Sequence, residues 1–246
     1  LKAFSANETF GMSVITSVVA ENTTRVLSVF NVPVEEIQKQ IDAVFEDIHV
    51  DAVKLGMLPT AEIISAVADK LNEYKPSIIV CDPVMVATSG DALSEGGTVS
   101  TMREKLFPIV TLLTPNIPEA EAISGLEIKN ENHMEKAARI IMDMGVKNVL
   151  VKGGHLTGDA VDYLCTPEGV HKLVCKRVDS PNTHGTGCTL SSAITANLAH
   201  GMDMLSAVTK AKNYITEAIE KSFTVGKGHS PVNHFYDYYD LKGTVL

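Results

Sequence analysis

Short apolar runs, almost free of polar residues, recur along this chain with helically spaced stretches between them. Residues 77–81, 110–113 and 149–151 are such runs. A strand wet on one face alternates apolar and polar residues, whereas a continuous apolar run is covered on both faces, as in a parallel sheet. Between the runs, Val34, Ile37, Ile41, Val44, Phe45 and Ile48 share one face of a helix expected over residues 34–48. Further helices are expected over 61–71, 118–123, 133–144, 186–199 and 205–222. Strands are expected over 12–19, 26–32 and 50–55, and a strand pair over 160–165 and 171–178 turns at Pro167-Glu168-Gly169. This alternation predicts a three-layer α/β/α sandwich with a mostly parallel central sheet, in one domain over residues 1–246.

Charge and cysteine usage narrow the function. The net charge is −9, which argues against a nucleic-acid partner and requires any phosphate site to gather its positive groups locally. The four cysteines, Cys81, Cys165, Cys175 and Cys188, have no C-x-x-C spacing, so neither a zinc ribbon nor a redox pair is indicated. No run of about 18 apolar residues is present, and a soluble, cytoplasmic protein with no membrane partner is expected.

Ligands of open α/β sheets bind at the carboxyl ends of the strands, so the residues after each run carry the functional reading. Lys54-Leu55-Gly56-Met57 follows one, Asp82-Pro83-Val84-Met85 the next, then Thr114-Pro115-Asn116-Ile117-Pro118-Glu119, then Lys152-Gly153-Gly154-His155. Several strands thus deliver a polar group to one rim. The strongest local signal is Asn182-Thr183-His184-Gly185-Thr186-Gly187-Cys188-Thr189, a glycine-rich turn opening a helix. Glycines let a backbone approach a ligand closely, and the free N–H groups of a helix start bind anions. Cys188 falls in that first turn, where the helix dipole favours negative charge. No G-x-x-x-x-G-K-[ST] loop is present.

These motifs, in this order, resemble the ribokinase-like kinases, and in particular the hydroxymethylpyrimidine and phosphomethylpyrimidine kinases of thiamine synthesis. Asn116-Ile117-Pro118-Glu119 resembles their N-x-x-E motif, and Gly185-Thr186-Gly187-Cys188 their anion-hole motif, with Cys in place of the usual Asp. Residues 82–87, 89–93 and 152–155 are similar as well. The resemblance implies an ATP-dependent kinase using Mg²⁺, with hydroxymethylpyrimidine and its monophosphate as acceptors. It implies that Cys188 deprotonates the acceptor hydroxyl and that Gly185, Thr186 and Gly187 hold the transferred phosphoryl group. Lys152, Asn116 and Thr183 would meet ATP, Glu119 and Asp82 would organise the metal, and Glu21, Met57 and Val84 would line the pyrimidine pocket. A homodimer is common in the family. Glu21 replaces the family's Gln, and an ionised Glu accepts hydrogen bonds without donating them. That keeps a pyridoxal kinase open as the second reading. Thr88 replaces a common Lys. The family's glycine-rich opening, G-x-D-x-S-G-G-A-G-x-x-A-D, has no counterpart here, so residues 11–19 are expected to form a buried strand deprived of its neighbour, and an inactive nucleotide-binding protein is the third reading.

Overall fold

The computed structural model describes residues 1–85, 97–154 and 158–238. Thr88, His155 and the segment 86–96, which carries two of the family-like motifs, lie outside the described residues.

A short helix α1 (Lys2–Ala6) leads to β1 (Ser17–Glu21) and β2 (Val26–Asn31), which pair antiparallel as a separate two-stranded ribbon. The main sheet follows: α2 (Val34–Phe45), β3 (Val53–Leu55), α3 (Ala61–Tyr74), β4 (Ile79–Cys81), α4 (Thr98–Thr101), β5 (Leu112–Leu113), α5 (Ile117–Ser124), α6 (Glu131–Asp143) and β6 (Asn148–Lys152). Strands β7 (Ala160–Thr166) and β8 (Gly169–Cys175) and helices α7 (Thr186–Ala199) and α8 (Met204–Glu220) complete it. The six strands stand in chain order from β3 to β8; β3 to β6 are parallel, and β7 and β8 are antiparallel additions. The expected mostly parallel sheet between helical layers is therefore what the chain forms.

Alternation along the strands splits the core in two. Val80, Leu112, Leu150 and Leu164 point to α7 and α8, where Leu190, Ile194, Val208 and Ile215 cover them. Ile79, Cys81, Leu113, Val149, Val151 and Cys165 point the other way, onto Ile64, Val67, Ala120, Met134 and Ile141 of α3, α5 and α6. Each Val, Leu, Ile or Met side chain among them contributes about 1.5–3 kcal/mol on burial, so the sheet and its strand ends are held from both sides.

One expectation fails. Residues 11–19 do not form a buried strand: β1 begins only at Ser17, and Ile15 and Val18 are exposed. The reason is local. Asn22 Oδ1 accepts hydrogen bonds from the backbone N–H groups of Thr24 and Arg25 and from the Thr24 hydroxyl, closing a tight turn that gives β1 its partner a few residues on.

Candidate active site

Lys152 ends β6, Asp82 follows β4, and the two meet: Lys152 Nζ donates to Asp82 Oδ1 at 2.7 Å. The Thr114 hydroxyl, just past β5, donates to the same oxygen at 3.0 Å. Three neighbouring parallel strands thus converge on one carboxylate. Burial pushes the Asp82 carboxyl up, but the charges of Lys152 and Lys54 and the hydrogen bonds from Lys152 and Thr114 outweigh it and hold the group below the ordinary carboxylate range. For Lys152, burial disfavours the ammonium, yet Asp82 and Glu119 more than offset that and raise its pKa. The pair is therefore charged at neutral pH.

Asn116 and Glu119 form a capping box at the start of α5. Asn116 Oδ1 accepts from the Glu119 N–H at 2.9 Å, and Glu119 Oε2 accepts from the Asn116 N–H at 2.8 Å. Glu119 also accepts from the Met85 N–H, and it feels both Lys152 and Asp82. Burial is the largest influence on its carboxyl and raises its pKa. The N-x-x-E residues thus have a local structural duty, and the Glu119 carboxylate still faces the Lys152–Asp82 pair.

The glycine-rich turn closes on the same pair. Gly185 has φ 75°, a left-handed conformation that suits glycine, and it starts α7 without a side-chain cap. Helices α3, α5, α6 and α8 do carry side-chain caps, from Thr60, Asn116, Asn130 and Asp203. The Thr186 N–H donates to Thr183 O at 3.3 Å, and the next N–H groups of α7, on Gly187 and Cys188, are open to an anion. A Cβ on Gly187 would lie 3.2 Å from Lys152 Nζ and 3.6 Å from Asp82 Oδ2, so glycine is what lets the turn come this near. Cys188 is exposed in the first turn and close enough to Lys152 to act on its charge.

The residues expected on the acceptor side are more dispersed. Met57 and Val84 stand just beyond the paired strands β3 and β4, and the Met57 carbonyl accepts from the Thr16 hydroxyl at 3.0 Å. Glu21, at the end of β1, lies 3.6 Å from His184 Nε2 of the glycine-rich turn. Thr183 is tied into that turn, its N–H donating to Pro181 O and its carbonyl accepting from Thr186 N–H.

Sequence reasoning missed a second buried pair. Lys212 of α8 donates to Asp162 Oδ2, and Asp162 Oδ1 accepts from the Gly153 N–H at 2.9 Å, directly after Lys152. The signal was available: Lys212 sits on the apolar face with Val208, Ala211 and Ile215, where a lysine needs a buried partner. Among the described residues no group of three or more His, Cys, Asp or Glu could enclose a metal, and no helix is long and apolar enough to cross a membrane.

A family model described as phosphomethylpyrimidine kinase matches residues 1–233. The chain is 42% identical over 240 residues to the hydroxymethylpyrimidine/phosphomethylpyrimidine kinase of Haemophilus influenzae, covering 96% of this chain and 89% of that protein. It is 47% identical over 243 residues to the thiamine biosynthesis bifunctional protein ThiED of Geobacter sulfurreducens, covering 98% of this chain but only 50% of that one. The chain therefore spans about half the length of that relative. Among solved structures, phosphomethylpyrimidine kinase from Clostridium difficile 630 superposes with a TM-score of 0.79 at 45% identity, covering 89% of this chain and 90% of that one. The ADP complex of Bacillus subtilis pyridoxal kinase gives 0.88 at 36% identity, covering 95% and 89%.

Proposed function

The chain belongs to the phosphomethylpyrimidine kinase family, and from that premise we propose that it transfers the γ-phosphoryl group of ATP to hydroxymethylpyrimidine and then to its monophosphate. The observation that carries this is the uncapped start of α7 set against the Lys152–Asp82 pair. Phosphoryl transfer needs little covalent help from a protein; it needs positioning and stabilisation of charge on the equatorial oxygens. The N–H groups of Gly187 and Cys188 supply that stabilisation. Lys152, kept charged in a pocket of low dielectric, is placed to swing from Asp82 to a phosphate oxygen. Cys188, exposed beside this hole, accepts the proton of the acceptor hydroxyl as its oxygen bonds to phosphorus. Asn116 and Thr183 belong to the nucleotide side; Glu21, Met57 and Val84 belong to the acceptor side.

The residues fit Mg²⁺ in one particular form. Mg²⁺ is commonly held by one or two carboxylates together with phosphate oxygens and waters, rather than by an all-protein cage. Asp82 and Glu119, one after each of two adjacent strands, are such a pair, and they would hold the ion. Bound there, it would neutralise charge on the nucleotide phosphates. All four cysteines are free thiols, which suits a reducing cytoplasm. The ribbon exposes Val18 and its cross-strand partner Phe30 on one face and Val29 on the other, and this exposed apolar ribbon supports a homodimer.

The test is steady-state turnover with MgATP and three acceptors: the aminopyrimidine alcohol, its monophosphate and pyridoxal. A kcat/KM for the pyrimidines above that for pyridoxal supports the proposal. The reverse order would make the chain a pyridoxal kinase, the reading that Glu21 keeps open, and no turnover on any acceptor would reject both.

A further inference from the structure

The segment after α8 returns across the site and joins two parts of it. Ser230 closes a loop by donating its hydroxyl to Val225 O at 2.6 Å and accepting from Val225 N–H at 2.9 Å, and it is fully buried. The N–H groups inside this loop converge on Thr23, in the turn at the tip of the ribbon. Lys227 and Gly228 donate to Thr23 Oγ1 at 3.2 and 3.1 Å, and His229 donates to Thr23 O at 2.9 Å. The approach is so close that a Cβ on Gly228 would lie 2.0 Å from Thr23 O, and one on Gly226, whose φ is +80°, 2.6 Å from Thr23 Oγ1. The other side of the loop grips the glycine-rich turn. His184 N–H donates to Ser230 O at 3.1 Å, His184 bridges to Pro231, and His229 Nδ1 lies 3.2 Å from Pro181 O.

We propose that Thr23 is a positioning residue for the acceptor. By receiving three N–H groups of the 225–230 loop it fixes the ribbon tip, and with it Glu21, at a set distance from the turn that carries His184 and Cys188. The ribbon's base is tied elsewhere, through Thr16 to Met57 and through Gln40 to the Ile15 backbone. The clasp therefore controls the tip, the end that meets the acceptor pocket; it does not touch Lys152, and its hold on the glycine-rich turn runs through Pro181 and His184 rather than Thr183. This inference rests on the acceptor-side assignment of Glu21 and Cys188 above.

The experiment compares wild type, Thr23→Val, Thr23→Ser and Gly228→Ala by KM for the pyrimidine, KM for ATP, and amide hydrogen exchange over residues 17–31 and 225–230 without ligand. Valine keeps the shape and loses the acceptor; serine keeps the acceptor. Thr23→Val is expected to raise the pyrimidine KM about tenfold, the loss of roughly one to two hydrogen bonds, with the ATP KM unchanged. Its ribbon amides should exchange faster, Thr23→Ser should match wild type in every readout, and Gly228→Ala should reproduce the valine phenotype from the other side of the contact. Unchanged exchange and unchanged pyrimidine KM in both Thr23→Val and Gly228→Ala would overturn the proposal, as would equal rises in both KM values. If wild type turned over none of the pyrimidines, the functional reading would fail by itself. The clasp would then stand or fall on the exchange rates alone.

Discussion

Lys152–Asp82 and Lys212–Asp162 are the same two residue types placed in different surroundings. Both pairs are taken out of water, and both hang on β6 or its neighbour β7. The Lys212–Asp162 pair is sealed, with both side chains only 7% exposed, and its second carboxylate oxygen is used to hold the Gly153 N–H. In the rim pair, Asp82 is as deeply buried, yet Lys152 keeps 14% of its side chain exposed and looks onto the uncapped start of α7. The sealed pair has no second partner to move to; in the proposed reaction the rim pair has one, a phosphate oxygen of the nucleotide. A buried ion pair is weak evidence of stability in itself, since desolvation offsets much of its attraction. What separates structure from function here is whether one partner retains an alternative.

The largest effect should come from the residue that gives the rim pair its chemistry. Cys188→Ala should fold normally, because the side chain is exposed, and should lose about 10²–10⁴-fold in kcat, the usual cost of removing a general base. A kcat near wild type would leave the rim without its proton acceptor and weaken the contrast with the sealed pair. Lys212→Met tests the sealed pair from the other side. It strands Asp162 without its cation, and denaturant unfolding should show a loss of about 3–5 kcal/mol. The surviving folded fraction should keep most of its kcat, and a larger loss of kcat than of stability would assign Lys212 to the chemistry.

Lys152→Met should do the opposite: kcat falls about 10²–10³-fold, the order expected for one lost donor to the transferring group. Pairing it with Asp82→Asn removes the stranded charge, so the rate loss should persist after stability returns. The rim pair also has a defined pH range. Asp82 has a lowered pKa, so its contribution is present above the unfolded value near 3.8 and disappears as pH falls through the lower folded value. Lys152 has a raised pKa, so its contribution is full below 10.5 and disappears as pH rises through the higher folded value. Between these limits both groups stay charged, so the pair's contribution to stability should be flat with pH, and denaturant unfolding across that range checks it. The smallest change is Glu21→Gln, which should tighten aminopyrimidine binding by roughly 0.5–1.5 kcal/mol, one hydrogen bond gained. A weaker Kd would point to a different acceptor.

The sequence made the rim legible because its chemistry is local. Asp82, Asn116 and Lys152 each follow an apolar run, and Gly185 to Cys188 are contiguous. Pairings between distant residues were not legible. Asp162 and Lys212 are fifty positions apart, and Thr23 and Gly228 still further, so no local period reveals them. The stretch after Gly97 was hidden for another reason. Its helix changes to a π turn at Met102–Leu106 and a 3-10 turn at Phe107–Ile109, which breaks the 3.6-residue spacing although Met102, Leu106 and Phe107 are buried. The second ribbon strand, expected over 26–32, is found at Val26–Asn31, but the first reads as core because its apolar residues form a run, although Ile15 and Val18 are exposed.

The antiparallel direction of β7 has a practical consequence for protein engineering. Because β7 leaves the rim and β8 comes back to it, the turn between them, where Thr166 pairs with Gly169, sits at the far end of the sheet from Lys152. Pro167 and Glu168 at that turn are exposed. A short flexible epitope or a fluorophore-bearing peptide spliced between them would lengthen the chain where extra loop costs little closure entropy. Such a labelled enzyme should keep the unlabelled kcat/KM, which makes this turn the place to attach a reporter for following the ribbon and the rim at work.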